Sequence, residues 1–267
     1  MPHHHELIVI RGGGDLATGV AQKLYRSGFP IVILEVEKPT AIRRTVALSE
    51  AIYDSNVSVE DMTCRHIHHI KDIASCHKDG IIPMMIDPMC HSIDQLAPSA
   101  VIDVILAKRN LGMHRAMAPI TIALGPGFQA GVDVDAVIET MRGHDLGRLI
   151  LQGRAQANTG IPGEIGGKSS QRVIHAPVAG QIVHHSCIGD IVDEGTLLFS
   201  LDNHPVRAPF RGLLRGLIRE NSLVHQGMKV ADIDPRCDVN WKTISDKARC
   251  LGGSVLEAYL YLKRRNH

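Results

Sequence analysis

The strongest chemical signal is Gly12-Gly13-Gly14-Asp15-Leu16-Ala17, directly after the apolar run at residues 7–10. Glycine permits a sharp turn, and without a side chain it lets a diphosphate approach the main chain. A helix that starts there aims its free N–H groups at the anion. The pattern fits the alanine variant of the dinucleotide fingerprint. Such sites carry a carboxylate about 20 residues further on to hold ribose hydroxyls, and Glu35 and Glu37 lie at about that distance. The same turn would also serve a purely structural role, and Asp15 would repel a phosphate if it faced inward.

Cations and a second glycine turn follow. Arg43-Arg44 offers guanidinium forks suited to phosphate or carboxylate, or a solvated helix face. Lys108-Arg109 lies just past a predicted strand, where open α/β sheets bind ligands, and Asp103 lies within that strand. Gly125 and Gly127 form a second turn that could act as an anion nest. His144 beside Asp145 supplies groups fit for proton transfer, although sequence neighbours rarely face each other. Cys64, His66, His68, His69, Cys76 and His77 include metal-ligand types at spacings that match no compact module, in what reads as a polar surface loop. No metal site is assigned. Gly167-Lys168-Ser169 lacks the upstream glycine of a phosphate-binding loop, since Pro162 stands there.

These residues need a scaffold, and the apolar pattern suggests one. Strands are expected at 7–10, 31–34, 81–86, 101–106 and 120–124, and helices at 16–24 and 134–141. The alternation implies a Rossmann-like α/β domain over 1–157 with a mostly parallel sheet. Residues 158–170 read as loop. Residues 171–235 contain a repeat at a spacing of about 32. Ala176-Pro177 and Gly180 recur as Ala208-Pro209 and Gly212, and Val192 and Gly195 as Val224 and Gly227. This suggests a small β-rich domain resembling the barrel-sandwich of lipoyl and biotinyl carriers. The carrier lysine is missing, because the hairpin between the halves reads Asp202-Asn203-His204-Pro205. From 236 to 267 a helix is expected to pack back on the first domain, with Ser245 as its cap and Gly252-Gly253 marking a break or a close backbone approach.

Composition narrows the function classes. Hydrophobic residues make up 44% and charged residues 21%, enough for a true core, but aromatics are only 3% and the formal net charge is +1. A near-neutral chain with few stacking platforms is a poor candidate for nucleic acid or an anionic membrane. The six cysteines are scattered with no CxxC pair, as expected of reduced cytoplasmic thiols. His3-His4-His5 is either native or a tag remnant and is left out of the fold reasoning.

Several segments together resemble the YqeB-type accessory proteins of selenium-dependent molybdenum hydroxylases. They are residues 11–19, 39–45, 107–110, 125–128, 142–148, 158–163 and 244–248. The poorest match is 56–78, which holds the histidines. The resemblance implies a role in maturing the molybdenum centre and a hydroxylase subunit as partner. A catalytic hydroxylase is not expected, because the cysteine sets of ferredoxin-like clusters are missing. The ligand expected at the Gly12 turn is a molybdopterin dinucleotide or NAD(P). Two alternatives stand beside this: a free-standing NAD(P)-dependent oxidoreductase using His144 or Asp145, and a scaffold that docks the hydroxylase. A homo-oligomer is also open.

Overall fold

The computed structural model describes residues 6–160 and 163–265. The opening histidines, and Ile161 and Pro162 of the expected loop, lie outside that range. The chain divides into two compact units: Met1–Pro39 with Val46–Asn158 and Ile244–His267, and Thr40–Thr45 with Thr159–Thr243.

In the first unit, β1 (Ile8–Arg11) leads through the glycines into α1 (Asp15–Arg26) and β2 (Ile31–Glu35). Then come α2 (Ala51–Asp54), a hairpin of β3 (Asn56–Val59) and β4 (Met62–His66), α3 (Ile73–Lys78) and β5 (Ile81–Ile86). They are followed by α4 (Ile93–Leu96), β6 (Ala100–Asp103) and β7 (Ile120–Leu124). Short strands β8 (Gln129–Ala130), β9 (Ala136–Ile138), β10 (Leu149–Ile150) and β11 (Gly153–Arg154) end this stretch. The main sheet has the order β10-β9-β7-β6-β1-β2-β5-β4-β3. Its interior pairs are parallel, and antiparallel β10 and β3 close the two edges.

Side chains alternate between faces, so the central strands are apolar on both. Ile8 and Ile10 pack with Val20 and Leu24 of α1, whereas Val9 and Val101 point to the other face with Phe128 and Met113. Two expectations fail here. The segment expected as a helix over 134–141 contains strand β9, whose three residues are wholly buried beside β7. The stretch from Cys64 to His77 is not a polar surface loop: it holds the end of β4 and most of α3, and Cys64, Ile67, Ile73 and Cys76 are buried.

Helix α5 (Asp246–Arg265) runs unbroken through Gly252-Gly253 and packs against α1. The Ser245 hydroxyl oxygen accepts from the Ala248 N–H at 3.2 Å, capping the helix. Gly252 is a close approach rather than a break. A Cβ there would lie 2.3 Å from the Gly19 carbonyl oxygen, and a Cβ on Gly19 would lie 2.4 Å from that of Ala248.

The second unit holds β12 (Val173–His175), β13 (Gly180–His184), β14 (Ile191–Val192) and β15 (Leu197–Leu201), then β16 (His204–Arg207), β17 (Gly212–Leu217), β18 (Leu223–Val224) and β19 (Lys229–Asp234). Each strand of the first four has a counterpart starting 31 or 32 residues later. The two antiparallel sheets run β12-β19-β17-β14 and β16-β15-β13-β18. Exchanging each strand for its counterpart turns one order into the other, so the sequence repeat is a structural duplication. Arg172, Arg215 and Arg236 bind Asp232 and Asp234, two buried carboxylates on β19.

Adjacent glycines separate close packing from helix propensity. Gly252→Val is expected to cost about 1–3 kcal/mol in urea unfolding by forcing α1 and α5 apart. Gly253→Ala, whose new Cβ meets nothing within 4 Å, should stabilise by up to about 1 kcal/mol.

Candidate functional site

The chain passes from β1 to β2 on one side of the sheet and later returns to β6 on the other side of β1. Connections diverge there, leaving a crevice at the carboxyl ends of the strands, the usual ligand position in open α/β sheets. A cavity of about 290 Å³ opens at this place. Its walls come from Arg11 and Gly12, from Leu34, Glu35 and Val36, from Asp87, Pro88 and Met89, and from Ile105 and Leu111. Val36, Met89, Ile105 and Leu111 are each a third or more exposed. The mouth is therefore aliphatic, suited to the faces of a planar heterocycle.

The glycine turn fits closely into its surroundings. Gly12 has φ +91°, and a Cβ on it would press the Ile105 backbone at 3.3 Å. A Cβ on Gly13 would lie 2.7 Å from the Met84 methyl. Gly14 differs: its φ is −66°, a Cβ would meet nothing within 4 Å, and no side chain caps α1 there. The first amides of a helix have no intrahelical acceptor, so an open, uncapped N-terminus follows the turn. Asp15 is not part of the cavity wall.

Glu35 ends β2 with its carboxylate against this turn. Gly13 N–H donates to Oε2 at 2.7 Å and Val36 N–H to Oε1 at 2.8 Å. Burial pushes the carboxyl above its ordinary range, against the pull of those two hydrogen bonds. Beneath it, Arg11 and Asp103 face each other in register on β1 and β6 and pair at 3.0 Å, both almost fully buried. Arg11 also donates to the carbonyls of Leu111 at 2.9 Å and Pro88 at 3.3 Å, and Asp103 accepts from Ile105 N–H at 3.1 Å. The pair ties both flanking loops to the central strands. Burial raises the Asp103 carboxyl, and the Arg11 charge opposes that rise.

Lys108 and Arg109 lie on the loop after β6, exposed and without a hydrogen bond or ion pair among the described residues. Their loop is braced from behind: Leu106 and Lys108 have φ near +60°, a left-handed conformation that a side chain disfavours. A Cβ on Gly127 would lie 2.6 Å from the Arg109 nitrogen. The turn at Gly125 and Gly127 (φ +78° and +110°) therefore supports the cationic loop.

The remaining expected residues do not line this cavity. Glu37 is exposed outside the wall. Arg43 belongs to the second unit, buried, with a guanidinium N–H reaching the Thr243 carbonyl. Arg44 donates to Leu217 O at 2.8 Å in that same unit, which gives both arginines a structural task. His144 is exposed, and Asp145 pairs with Arg148 at 3.2 Å beside a separate cavity of about 370 Å³. Cys64 and Cys76 are buried, and burial pushes both thiols up. Among the described residues no group of three or more His, Cys, Asp or Glu side chains is placed to hold a metal ion, and no helix is long and apolar enough to cross a membrane. Sequence reasoning missed Arg11 as a wall residue and the apolar rim. A charged residue closing each of two buried strands was the available signal for the Arg11–Asp103 pair.

No protein-family model matches the chain. It is a homologue of the uncharacterized protein YqeB of Escherichia coli (strain K12), 49% identical over 262 residues. The alignment takes in 98% of this chain and 48% of YqeB, so the chain spans about half the length of that relative. Among solved structures, the product-bound ectoine utilization protein EutE (DoeB) from Ruegeria pomeroyi is 12% identical with a TM-score of 0.24, over 80% of this chain and 61% of its own. A succinylglutamate desuccinylase from Silicibacter sp. TM1040 is 12% identical with a TM-score of 0.25, over 85% and 84%. Likeness at that level carries no argument about fold or chemistry.

Two outcomes follow from the geometry. Asp103→Ala leaves the Arg11 charge buried and should destabilise by about 3–5 kcal/mol in denaturant unfolding, with Arg11→Met/Asp103→Leu recovering much of the loss. Because the folded chain raises the Glu35 pKa, this group contributes stability below the ordinary glutamate pKa and loses it as pH rises through the raised value. The Tm of the wild type relative to Glu35→Gln should therefore improve toward acid.

Proposed function

We propose that the chain is an accessory protein in the maturation of a selenium-dependent molybdenum hydroxylase, and that it holds a nucleotide-bearing cofactor at the Gly12 turn. The cofactor candidates are a molybdopterin dinucleotide and NAD(P). The observation that carries the binding reading is the convergence of three features at the carboxyl end of the parallel sheet: a turn without side chains, an uncapped helix N-terminus, and two exposed cations. The base would enter the aliphatic cavity, the ribose would meet Glu35, and the diphosphate would lie over Gly14 and the first turn of α1. Lys108 and Arg109 would neutralise it. Gly125 and Gly127 support their loop rather than contact the ligand.

The maturation role and the hydroxylase partner rest on the sequence resemblance. On this reading the first unit is a Rossmann-like nucleotide binder. The second is a barrel-sandwich of carrier type used for docking, since its β15–β16 hairpin presents Asp202 and Asn203 in place of a lysine. The oxidoreductase alternative gains no support, because His144 and Asp145 do not border the nucleotide cavity.

Gly14→Val tests this cleanly. The backbone at Gly14 accepts any residue, and the added side chain meets no protein atom at its Cβ, yet it would stand over the helix amides. An unchanged Tm with dinucleotide affinity weakened about tenfold or more is expected from calorimetric titration. Unchanged affinity would remove the turn from the mechanism. Lys108→Ala/Arg109→Ala should weaken binding by a similar factor and flatten its salt dependence.

A further inference from the structure

Resting on the nucleotide reading above, we infer that the cavity takes a nucleoside diphosphate whose ribose has a free 2′-hydroxyl, and that Glu35 rejects the 2′-phosphorylated form. Each Glu35 oxygen receives one main-chain N–H, from Gly13 or from Val36. A carboxylate oxygen accepts more than one hydrogen bond, so both keep capacity for a hydroxyl donor from the cavity. A 2′-phosphate brings no donor when ionised and places a second anion beside the first.

Charge inside the cavity points the same way. Sites that accept a 2′-phosphate supply an arginine for it. Among the described residues the one cation in this wall is Arg11; its two terminal nitrogens are taken by Asp103 and the carbonyls of Pro88 and Leu111, and its Nε is buried away from the cavity without a partner. Asp87 adds a further carboxylate to the wall, held by the N–H groups of His91 and Ser92. The exposed cations Lys108 and Arg109 are not wall residues. The cavity thus offers a hydroxyl two acceptors and offers an extra phosphate no partner.

The experiment is calorimetric titration of the full chain with adenosine diphosphate ribose and with the same molecule phosphorylated on the adenosine 2′-oxygen. The unphosphorylated probe should bind at least about 100-fold more tightly, since juxtaposed like charges are strongly penalised. Glu35→Gln should narrow the ratio to within about tenfold, as it removes the charge and keeps a carbonyl acceptor. Equal affinity of the two probes for the wild type would overturn the inference and leave the nucleotide reading standing. No binding of either probe would overturn both. An undiminished ratio in Glu35→Gln would overturn the assignment to Glu35. Should that variant fail to fold, the wild-type pair of titrations still decides the 2′-hydroxyl preference.

Discussion

The site is built where main chain stands in for side chain. At the end of β1 a Cβ on Gly12 would press the Ile105 backbone at 3.3 Å, and one on Gly13 would meet the Met84 methyl at 2.7 Å and the Ser49 nitrogen at 3.1 Å. The turn places the Gly13 N–H on Glu35 and leaves α1 to begin at Asp15 behind Gly14, which carries no capping side chain. A bulkier turn would press on the start of the loop after β6 at Val104 and Ile105.

The second constraint is the buried ion pair below the turn. Arg11 and Asp103 meet across adjacent parallel strands, and their remaining hydrogen bonds go to the loops that wall the cavity. Replacing a buried ion pair by apolar residues is often neutral for stability, and Arg11 Nε is left here without a partner, so the pair's presence is better explained by placement. It fixes the loops after β5 and β6 against the strand that carries the glycine turn. The strained backbone at Leu106 and Lys108, and Gly127 behind it, complete a rigid edge. A site on braced loops gives up little ordering entropy when a ligand arrives.

Much of this was legible in the sequence where local pattern decides the outcome. The runs at 31–34, 81–86 and 120–124 became strands because they are short and mostly apolar, and the helix after the glycines formed from its own periodicity. The repeat at about 32 residues showed the duplication because each half must supply equivalent turns and core positions. Residues 134–141 were harder: a strand buried on both faces shows no alternation, so helix and strand look alike. The hairpin at 56–66 was hidden because its exposed face is polar and its inward residues are few. Glu35 could be placed by its distance from the turn, whereas Arg11–Asp103 needed the register of β1 on β6. Arg43 shows the opposite error, since an arginine by a proline reads as a ligand contact until its burial in another unit is known.

The most direct test of the claim that bare amides at the β1–α1 junction receive a diphosphate is an amide NMR titration of the isotope-labelled chain with a dinucleotide. The account predicts that Gly14, Asp15 and Leu16 shift together and saturate at one Kd, with Lys108 and Arg109 following the same curve. Saturable binding that leaves those amides unmoved, with shifts confined to other parts of the chain, would contradict it.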